Sequence, residues 1–190
     1  SDHEASYSHF MKTKLFDHIN IKKENYFIPN GSASDIELEC ASYENKIKEL
    51  GPIDLQILGI GRDGHIGFNE PMSSLRSRTR LKTLTEATRR DNAKYFENAQ
   101  VPWHAITMGI GTILEAKEIM LMALGEDKAE AIAKTVEGPL MAMVPGSALQ
   151  LHKKVKVIVE EAAASKLKNT EYYRWVYSKK PKWQQLEFGF

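Results

Sequence analysis

Apolar residues recur along the chain in short runs that mostly end in glycine, and segments with helical spacing lie between some of them. The four runs are PIDLQILGIG, HAITMGIG, EIMLMALG and KVKVIVE, at 52–61, 104–111, 118–125 and 154–160. The helix-like segments TILEAKE and EDKAEAIAKTVEG follow the second and third runs. Strands that alternate with helices in this way favour parallel βαβ units with right-handed crossovers. The predicted fold class is therefore α/β, a parallel sheet with helices on both faces.

Two helices are predicted before the first of these runs. Apolar residues at helical spacing predict one over 6–19 and another that ends at Gly51. Ser34 and Glu37 have the spacing of a capping box, which satisfies two unpaired N–H groups at the start of a helix. We therefore expect the second helix to begin there. Cys40 lies in its apolar stripe and is expected to be a small core residue rather than a reactive thiol.

The composition is that of one ordinary globular domain: 190 residues, 42% hydrophobic and 27% charged, with a net charge of +1. That charge gives no reason to expect a nucleic acid or an anionic membrane as partner. No apolar run reaches the roughly 20 residues that a membrane-spanning helix needs. Cys40 is the only cysteine, which excludes an internal disulfide and fits a reducing compartment. We therefore expect a cytoplasmic protein without a nucleic-acid or membrane partner.

A glycine-rich segment, GIGRDGHIGFNEP at 59–71, overlaps the end of the first apolar run. In open parallel sheets, ligands bind at the carboxyl ends of strands, so this segment is where a site is expected. Asp63 and His65 are two residues apart and would point to the same side of an extended segment. Glu70 can return to that side if the intervening glycines let the loop fold back.

A histidine between two carboxylates has its charged form favoured, and one carboxylate can fix its tautomer. This arrangement suits a proton shuttle that works near neutral pH. No serine or cysteine nucleophile is adjacent to His65, and no second pair of metal ligands has suitable spacing, so acyl transfer and a metal site are not favoured. The remaining alternative is a glycine-rich surface turn with a few solvated charges.

The segment LGIGRDGHIGFNEP resembles the signature of the glucosamine-6-phosphate deaminase family, also called glucosamine-6-phosphate isomerase. The later segments SSLRSRTRLKTL, VPWHAITMGIGTIL, GEDKAEA and SALQLHKKVKVIVEEAAASKL resemble that family in the same order and spacing, so the resemblance covers 6–167. It implies a three-layer Rossmann-like sheet of the sugar-phosphate isomerase and CoA-transferase type. Related 6-phosphogluconolactonases share the GxGxDGH part but are not expected to continue as IGFNEP.

The resemblance implies an enzyme that converts glucosamine 6-phosphate and water into fructose 6-phosphate and ammonia, a hydrolysis of a C–N bond with an isomerase-type mechanism. His65 matches the histidine that opens the sugar ring, and Asp63 and Glu70 match the carboxylates that work with it. A separate aspartate removes the C2 proton. No redox step occurs, so no cofactor is implied, and the only expected ligand is a small amino-sugar phosphate.

In the family, that aspartate and a phosphate-binding loop precede the segment that HEASYSHFM at 3–11 resembles. We therefore expect 1–167 to be the C-terminal part of a single deaminase domain whose N-terminal strands are missing. We expect the chain to be inactive alone, because it lacks the C2 base. The last stretch, 168–190, is expected to form a C-terminal helix and tail or a linker.

Five further positions match binding residues of the family. Lys128 matches a lysine that binds the substrate phosphate. Lys94 stands where many members carry an arginine for the same group, and lysine lacks the bidentate fork. Ser73, Arg80 and Lys82 match positions that bind the activator N-acetylglucosamine 6-phosphate between subunits of hexameric, allosteric members. The resemblance thus leaves a homo-oligomer and allosteric activation open.

Three alternatives to the leading interpretation remain at this stage. A deaminase for galactosamine 6-phosphate would share this motif, because pocket contacts outside it select the hydroxyl epimer. The lactonase activity of the related enzymes is disfavoured by the NEP continuation. A sugar-phosphate-binding regulator without catalysis is disfavoured because Asp63, His65 and Glu70 are all present.

Overall fold

The computed structural model describes residues 4–96 and 100–184, so 185–190, the end of the predicted tail, lie outside the described residues. The strands are β1 Leu55–Leu58, β2 Arg80–Thr83, β3 His104–Thr107, β4 Glu118–Ala123 and β5 Val155–Val159. The α-helices are α1 Tyr7–Lys14, α2 Ile36–Leu50, α3 Glu86–Asn92, α4 Ile110–Leu114, α5 Ala129–Val136, α6 Glu161–Ala164 and α7 Thr170–Ser178. Short 3₁₀ turns lie at Phe16–His18, Lys23–Asn25, Ala93–Tyr95, Glu126–Lys128, Pro145–Leu151 and Lys182–Gln184.

Three of the predicted strands form one parallel sheet in the order β1–β4–β5. The central strand β4 pairs with β1 from Leu55 opposite Glu118, and with β5 from Ile119 opposite Val155. Ile119 and Leu121 are almost fully buried, as expected of a strand with neighbours on both sides. Helices flank this sheet, so the predicted α/β class with a parallel sheet is confirmed.

The run HAITMGIG forms a strand, but the prediction that it joins the parallel sheet is wrong. Its strand β3 pairs antiparallel with β2, with Arg80 opposite Thr107 and Thr83 opposite His104. A four-residue apolar run does not determine its own partner or direction, and the polar segment RLKT supplies the neighbouring strand. This two-stranded sheet places β2 beside the glycine-rich loop that follows β1.

The hydrophobic core lies between the parallel sheet and the helices α4, α5 and α6. Its buried side chains come from the loop after β1 as well as from these elements, and they are Leu58, Ile60, Ile66, Ile113, Ala116, Ile119, Leu121, Ala123, Ala131, Ile132, Leu149 and Ala163. Ile66 is fully buried and lies inside the GIGRDGHIGFNEP segment. The core therefore fixes the middle of the candidate site loop as well as the sheet.

The first helix is shorter than its apolar spacing predicts. α1 ends at Lys14, because Leu15 leaves the helical region at φ −135°, and a separate 3₁₀ turn follows. The apolar side chains that predicted a helix to residue 19 are largely exposed here, Phe10 by 52% and Ile19 by 48%. Because much of that stripe is exposed among the described residues, burial adds little packing energy to extend the helix beyond its second turn.

The second helix begins one residue later than the predicted capping box requires. Asp35 is its N-cap and accepts a 2.9 Å hydrogen bond from the Leu38 N–H, so Ser34 does not cap α2. A carboxylate at this position also interacts favourably with the positive end of the helix. Cys40 is 5% exposed, which agrees with the predicted core position. Gly51 ends the helix with a positive φ of 95°.

Two surface features complete the fold. The outer edge of β1 has no strand partner within 4–96 and 100–184, and Leu55 and Ile57 on this strand are 46% and 59% exposed. At the other end of the chain, α7 lies in the C-terminal stretch. None of the helices in the part of the chain that the structure describes has the length and apolar content to span a membrane.

Candidate active site

The glycine-rich segment leaves β1 and folds into a tight turn. The Gly61 N–H donates to the His65 carbonyl at 2.9 Å, and the Gly64 N–H donates to the Gly61 carbonyl at 3.0 Å. The segment is therefore a turn rather than the extended stretch that the sequence suggested. Gly64 and Gly67 have φ values of 86° and 57°, a region that favours glycine, so the predicted return of the loop at the glycines is confirmed.

Gly61 is required for a different reason, namely its close approach to the imidazole of His65. A Cβ atom at Gly61 would lie 2.2 Å from Cε1 and 2.3 Å from Nδ1 of that ring. No side chain fits at such distances. The glycine thus lets the ring lie directly against the backbone, and the turn sets where its two nitrogen atoms point.

The turn brings the three sequence-predicted residues into contact. Nδ1 of His65 lies 2.7 Å from Oδ1 of Asp63 and 3.4 Å from Oε2 of Glu70. Both contacts are within ion-pair distance, although neither has the aligned N–H···O geometry of a good hydrogen bond. The backbone N–H of His65 also donates to Oδ1 of Asp63 at 3.1 Å. One ring nitrogen therefore faces two carboxylates, as the sequence interpretation expects of a proton-transfer group.

Glu70 is held from its other side by the start of α3. Its side chain is almost fully buried, and Oε1 accepts a 3.2 Å hydrogen bond from the backbone N–H of Thr85. Thr85 is the N-cap of α3, and its hydroxyl donates to the hydroxyl of Thr88 at 3.1 Å. The Thr88 side chain in turn helps to stabilise the carboxylate of Glu70. This second set of contacts aims Glu70 at the imidazole.

The pKa values of the three residues shift in the directions that this geometry requires. Burial disfavours the charged form of His65, but the contacts with Asp63 and Glu70 outweigh it and raise its pKa from 6.5 to about 9. Burial also disfavours ionisation of Asp63 and Glu70, but their contacts with His65, together with hydrogen bonds from backbone N–H groups, outweigh it and lower both pKa values. At neutral pH the imidazole is therefore charged and lies between two carboxylates.

This charge state determines what the site can do. A charged imidazole starts as a proton donor and becomes a base after it has given the proton away. The ligand atoms of Asp63, His65 and Glu70 lie within 4.8 Å of one another, a spacing that could also accommodate a cation. A metal ion would need an unprotonated ring nitrogen, so the raised pKa of His65 makes the proton a strong competitor.

A cavity of about 190 Å³ opens beside His65 and Asp63. The other side chains along its wall come from the turn and from α3, and they are Arg62, Ala87, Thr88, Arg90 and Asp91. Sequence reasoning did not identify Arg62, Thr88 or Arg90 as candidates. Only the adjacency of Arg62 to Asp63 could have indicated its position, because α3 reaches the cavity through a long-range contact.

The two lysines expected to bind phosphate differ in their surroundings. Lys128 is half-buried, and its Nζ lies 3.6 Å from Asp127, whose carboxylate also lies 3.2 Å from the Arg62 guanidinium. Lys128 is thus linked to the cavity wall through a shared carboxylate. Lys94 is exposed, lies 5.0 Å from the ring centre of Tyr95 and does not line the cavity.

The three residues expected to bind an activator lie on and near β2. Ser73 is buried, and its hydroxyl donates to the carbonyl of Glu70 at 2.6 Å. Arg80 donates from Nη1 to Oδ1 of Asn69 at 2.9 Å. Lys82 is half-buried two residues further along the strand. Two of the three side chains therefore already hydrogen-bond the site loop.

The fold and this site define the class of protein. Residues 1–159 match the family model described as glucosamine-6-phosphate isomerases/6-phosphogluconolactonase, and the chain belongs to this family.

Its curated relatives are named glucosamine-6-phosphate deaminase. One from Streptomyces coelicolor is 52% identical over 188 residues, which cover 98% of this chain and 72% of the relative. One from Hahella chejuensis is 58% identical over 177 residues, with 93% of this chain and 67% of the relative covered. One from Shewanella halifaxensis is 55% identical over 175 residues, which cover 92% of this chain and 66% of the relative. The resemblance seen in the sequence is thus confirmed over nearly the whole chain.

Solved structures separate the two branches of the family. The structure of a monomeric glucosamine-6-phosphate deaminase is 49% identical and superposes with a TM-score of 0.83, covering 87% of this chain and 69% of that chain. The structure of a 6-phosphogluconolactonase from Shewanella baltica is 21% identical and superposes with a TM-score of 0.61, covering 83% of this chain and 65% of that chain. The likeness to the lactonase concerns the fold alone.

Proposed function

We propose that this protein is a glucosamine-6-phosphate deaminase that converts its substrate into fructose 6-phosphate and ammonia. The observation that carries the proposal is the contact of His65 with Asp63 and Glu70 beside a cavity whose wall includes Arg62 and Arg90. Supporting it, relatives of that name share 52% to 58% of their residues with the chain. The named substrate of these relatives favours glucosamine over galactosamine.

In the first step, His65 opens the sugar ring. Its imidazolium donates a proton to O5 as the C1–O5 bond breaks, and it recovers a proton from the hydroxyl on C1 as the carbonyl forms. The number of protons on the protein and the substrate does not change. Asp63 and Glu70 keep the ring oriented and stabilise its charged form, so that the transfer starts from the acid.

The later steps need a group besides these three. A base removes the C2 proton to give an enolamine, reprotonation at C1 gives a ketimine, and water hydrolyses it to release ammonia. Both carboxylates that contact His65 are engaged with it, so they are poorly placed for the C2 proton. The family resemblance assigns this role to a separate aspartate, and such a base is part of the proposal.

We also propose the remaining finer assignments. Lys128 is a contact for the substrate phosphate, because it is linked through Asp127 to Arg62 on the cavity wall. Arg62 and Arg90 add positive charge to that wall and attract the same anionic group. Lys94, exposed beside Tyr95, can reach a phosphate only if its flexible side chain turns toward the cavity.

The test is release of ammonia by the complete gene product. We expect ammonia from glucosamine 6-phosphate, little from galactosamine 6-phosphate, and no hydrolysis of 6-phosphogluconolactone. His65→Gln should lower kcat by about 10²- to 10⁴-fold, the usual contribution of a general acid–base group. The matched control is His152→Gln, which alters a histidine that donates to the Ala116 carbonyl and accepts from the Lys154 N–H, outside the candidate site.

Three results would contradict the proposal. Equal rates with both amino sugars would remove the substrate assignment, and lactone hydrolysis would favour the other branch of the family. Binding of glucosamine 6-phosphate without any ammonia release would favour a regulator that has lost catalysis.

A further inference from the structure

Arg80 was expected to bind an activator, but its guanidinium is already committed to the site loop. Nη1 donates to Oδ1 of Asn69 at 2.9 Å and makes a longer contact of 3.3 Å with the Arg78 carbonyl. Asn69 is fully buried and immediately precedes Glu70 in the chain. The Arg80 side chain is half-buried, and this burial lowers the pKa of its guanidinium.

Asn69 uses its whole side-chain amide to hold the loop. Its Nδ2 donates to the Ile66 carbonyl at 2.9 Å and to the Met108 carbonyl at 2.8 Å, while its Oδ1 accepts from Arg80. Both amide hydrogens and the carbonyl oxygen therefore have partners. Through them Asn69 joins three elements, namely the loop after β1, the end of β3 and the start of β2.

Two neighbouring contacts fix the same loop on either side of Asn69. The hydroxyl of Ser73 donates to the Glu70 carbonyl at 2.6 Å, and the Phe68 N–H donates to the hydroxyl of Thr107 at 3.0 Å. Every residue from Phe68 to Glu70 is thus attached to β2, β3 or the following turn. Arg80 is the charged member of this set, and charge-assisted hydrogen bonds are stronger than neutral ones.

We propose that Arg80 is a positioning residue, which holds Asn69 and thereby keeps Glu70 aimed at Nδ1 of His65. This inference deepens the proposed function, on which its relevance to catalysis rests. An arginine that only binds an activator would keep its guanidinium free for the ligand. Here the guanidinium satisfies the single acceptor of a fully buried amide, and removing it would leave that acceptor unpaired.

Lys82 provides a matched control on the same strand. It lies two residues after Arg80, so both side chains project from the same face of β2, and both belong to the set expected to bind an activator. Lys82 pairs with Ala105 in the β2–β3 sheet, but unlike Arg80 its side chain has no hydrogen bond or ion pair with the residues in 4–96 and 100–184. Arg80→Met and Lys82→Met each remove one positive charge from this strand, but only the first breaks the contact with Asn69.

The first measurement is the titration of His65 by ¹H–¹⁵N NMR in the 190-residue chain, with its signals assigned by their loss in His65→Gln. In the unmodified chain we expect a midpoint at about 9. Arg80→Met should lower that midpoint by about one pH unit or more, because a displaced Glu70 no longer stabilises the imidazolium. Lys82→Met should leave it within experimental error.

Arg80→Lys is the second variant, because it retains a charged donor and is less disruptive to folding. Its His65 titration midpoint should lie between those of Arg80→Met and the unmodified chain, since lysine can reach Oδ1 of Asn69 but lacks the planar fork. Thermal unfolding of all three variants checks that each chain is folded. An unchanged midpoint in Arg80→Met, or an equal fall in Arg80→Met and Lys82→Met, would overturn the inference.

Kinetics of the complete gene product separate this inference from the proposed function. Arg80→Met should lower kcat for ammonia release by about 10- to 100-fold without activator present, with little change in KM, as expected when a catalytic group is misplaced. Arg76→Met, which removes an exposed positive charge four residues before Arg80, should leave both constants unchanged. An unmodified enzyme without deaminase activity would remove the proposed function, whereas equal kcat values in the unmodified enzyme and Arg80→Met would remove only the positioning role.

Discussion

At the scale of single residues, the ion pairs of His65 decide its charge and link the site to protein stability. Its pKa is raised from 6.5 to about 9 in the folded chain. A group whose pKa is raised by folding makes its full contribution to stability at pH values below its pKa in the unfolded chain, which is 6.5 for histidine. That contribution is then lost as pH rises through about 9.

Asp63→Asn should therefore destabilise the chain most between pH 3.8 and 6.5, by about 1–3 kcal/mol, because it removes the closer partner of a charged, mostly buried imidazole. The difference from the unmodified chain should shrink as pH rises through about 9, where the imidazole becomes neutral. Urea unfolding across this pH range measures it. Asp91→Asn is the control, since that carboxylate lines the same cavity but pairs with Arg62. A pH-independent loss of stability in Asp63→Asn would contradict the expectation.

The sequence predicts part of this site because its three central residues lie close together in the chain. Asp63, His65 and Glu70 fall within one loop, and the glycines between them indicate that it turns back. The support for Glu70 comes instead from Thr85 and Thr88, through contacts that span 15 residues or more. Such contacts depend on how α3 packs against the loop, and no local pattern in the sequence encodes that packing.

At the scale of secondary-structure elements, Glu44 fixes α2 to the region around the site. Its Oε1 accepts hydrogen bonds from the Thr79 N–H at 2.8 Å, the Thr79 hydroxyl at 2.5 Å and the Thr112 hydroxyl at 2.7 Å. One carboxylate oxygen thereby joins α2, the segment before β2 and α4. Burial opposes ionisation of Glu44, but these hydrogen bonds and the nearby Arg78 outweigh it and lower its pKa.

Glu44→Gln should lower the free energy of unfolding by about 1–3 kcal/mol at neutral pH, because a neutral amide replaces the carboxylate that accepts three charge-assisted hydrogen bonds. A carboxylate whose pKa is lowered by folding contributes stability above its unfolded pKa, and this is lost as pH falls through the folded value. The deficit of the variant should therefore shrink below the ordinary glutamate value of 4.5. Urea unfolding from pH 3 to 7 measures it, with Glu49→Gln as the exposed control on the same helix. Equal deficits in both variants would refute the role of Glu44.

Elements were predictable where local signals determine them and not where pairing is long-range. The strands at β1, β4 and β5 follow from their apolar runs, and the helix end at Gly51 follows from a glycine with positive φ. The pairing of β3 with β2 could not be predicted in this way, because a short apolar run fits either sheet. Likewise α1 stops at Lys14, and the predicted stripe beyond it stays exposed at Leu15 and Ile19, which depends on the whole fold.

At the scale of the whole molecule, the parallel sheet ends at an apolar, unpaired edge. β1 has β4 on one side and, within the described ranges, no strand on the other. Leu55 and Ile57 on this strand are about half exposed, and Leu38 and Leu50 on α2 are 67% and 66% exposed. An exposed edge strand offers unpaired N–H and C=O groups to another chain, and apolar side chains beside it strengthen that contact.

We therefore expect the 190-residue chain to self-associate through β1, and Ile57→Lys to weaken the association at least about tenfold, a change of roughly 1.4 kcal/mol. The introduced charge disfavours strand addition at this edge, and stability should change little because Ile57 is 59% exposed. Leu151→Lys is the matched control, since Leu151 is 61% exposed but lies in the 3₁₀ turn before β5. Sedimentation velocity over a range of concentrations compares the three chains. A monomeric unmodified chain would contradict the expectation. Equal weakening by both substitutions would also contradict it, because Ile57 lies on β1 and Leu151 does not.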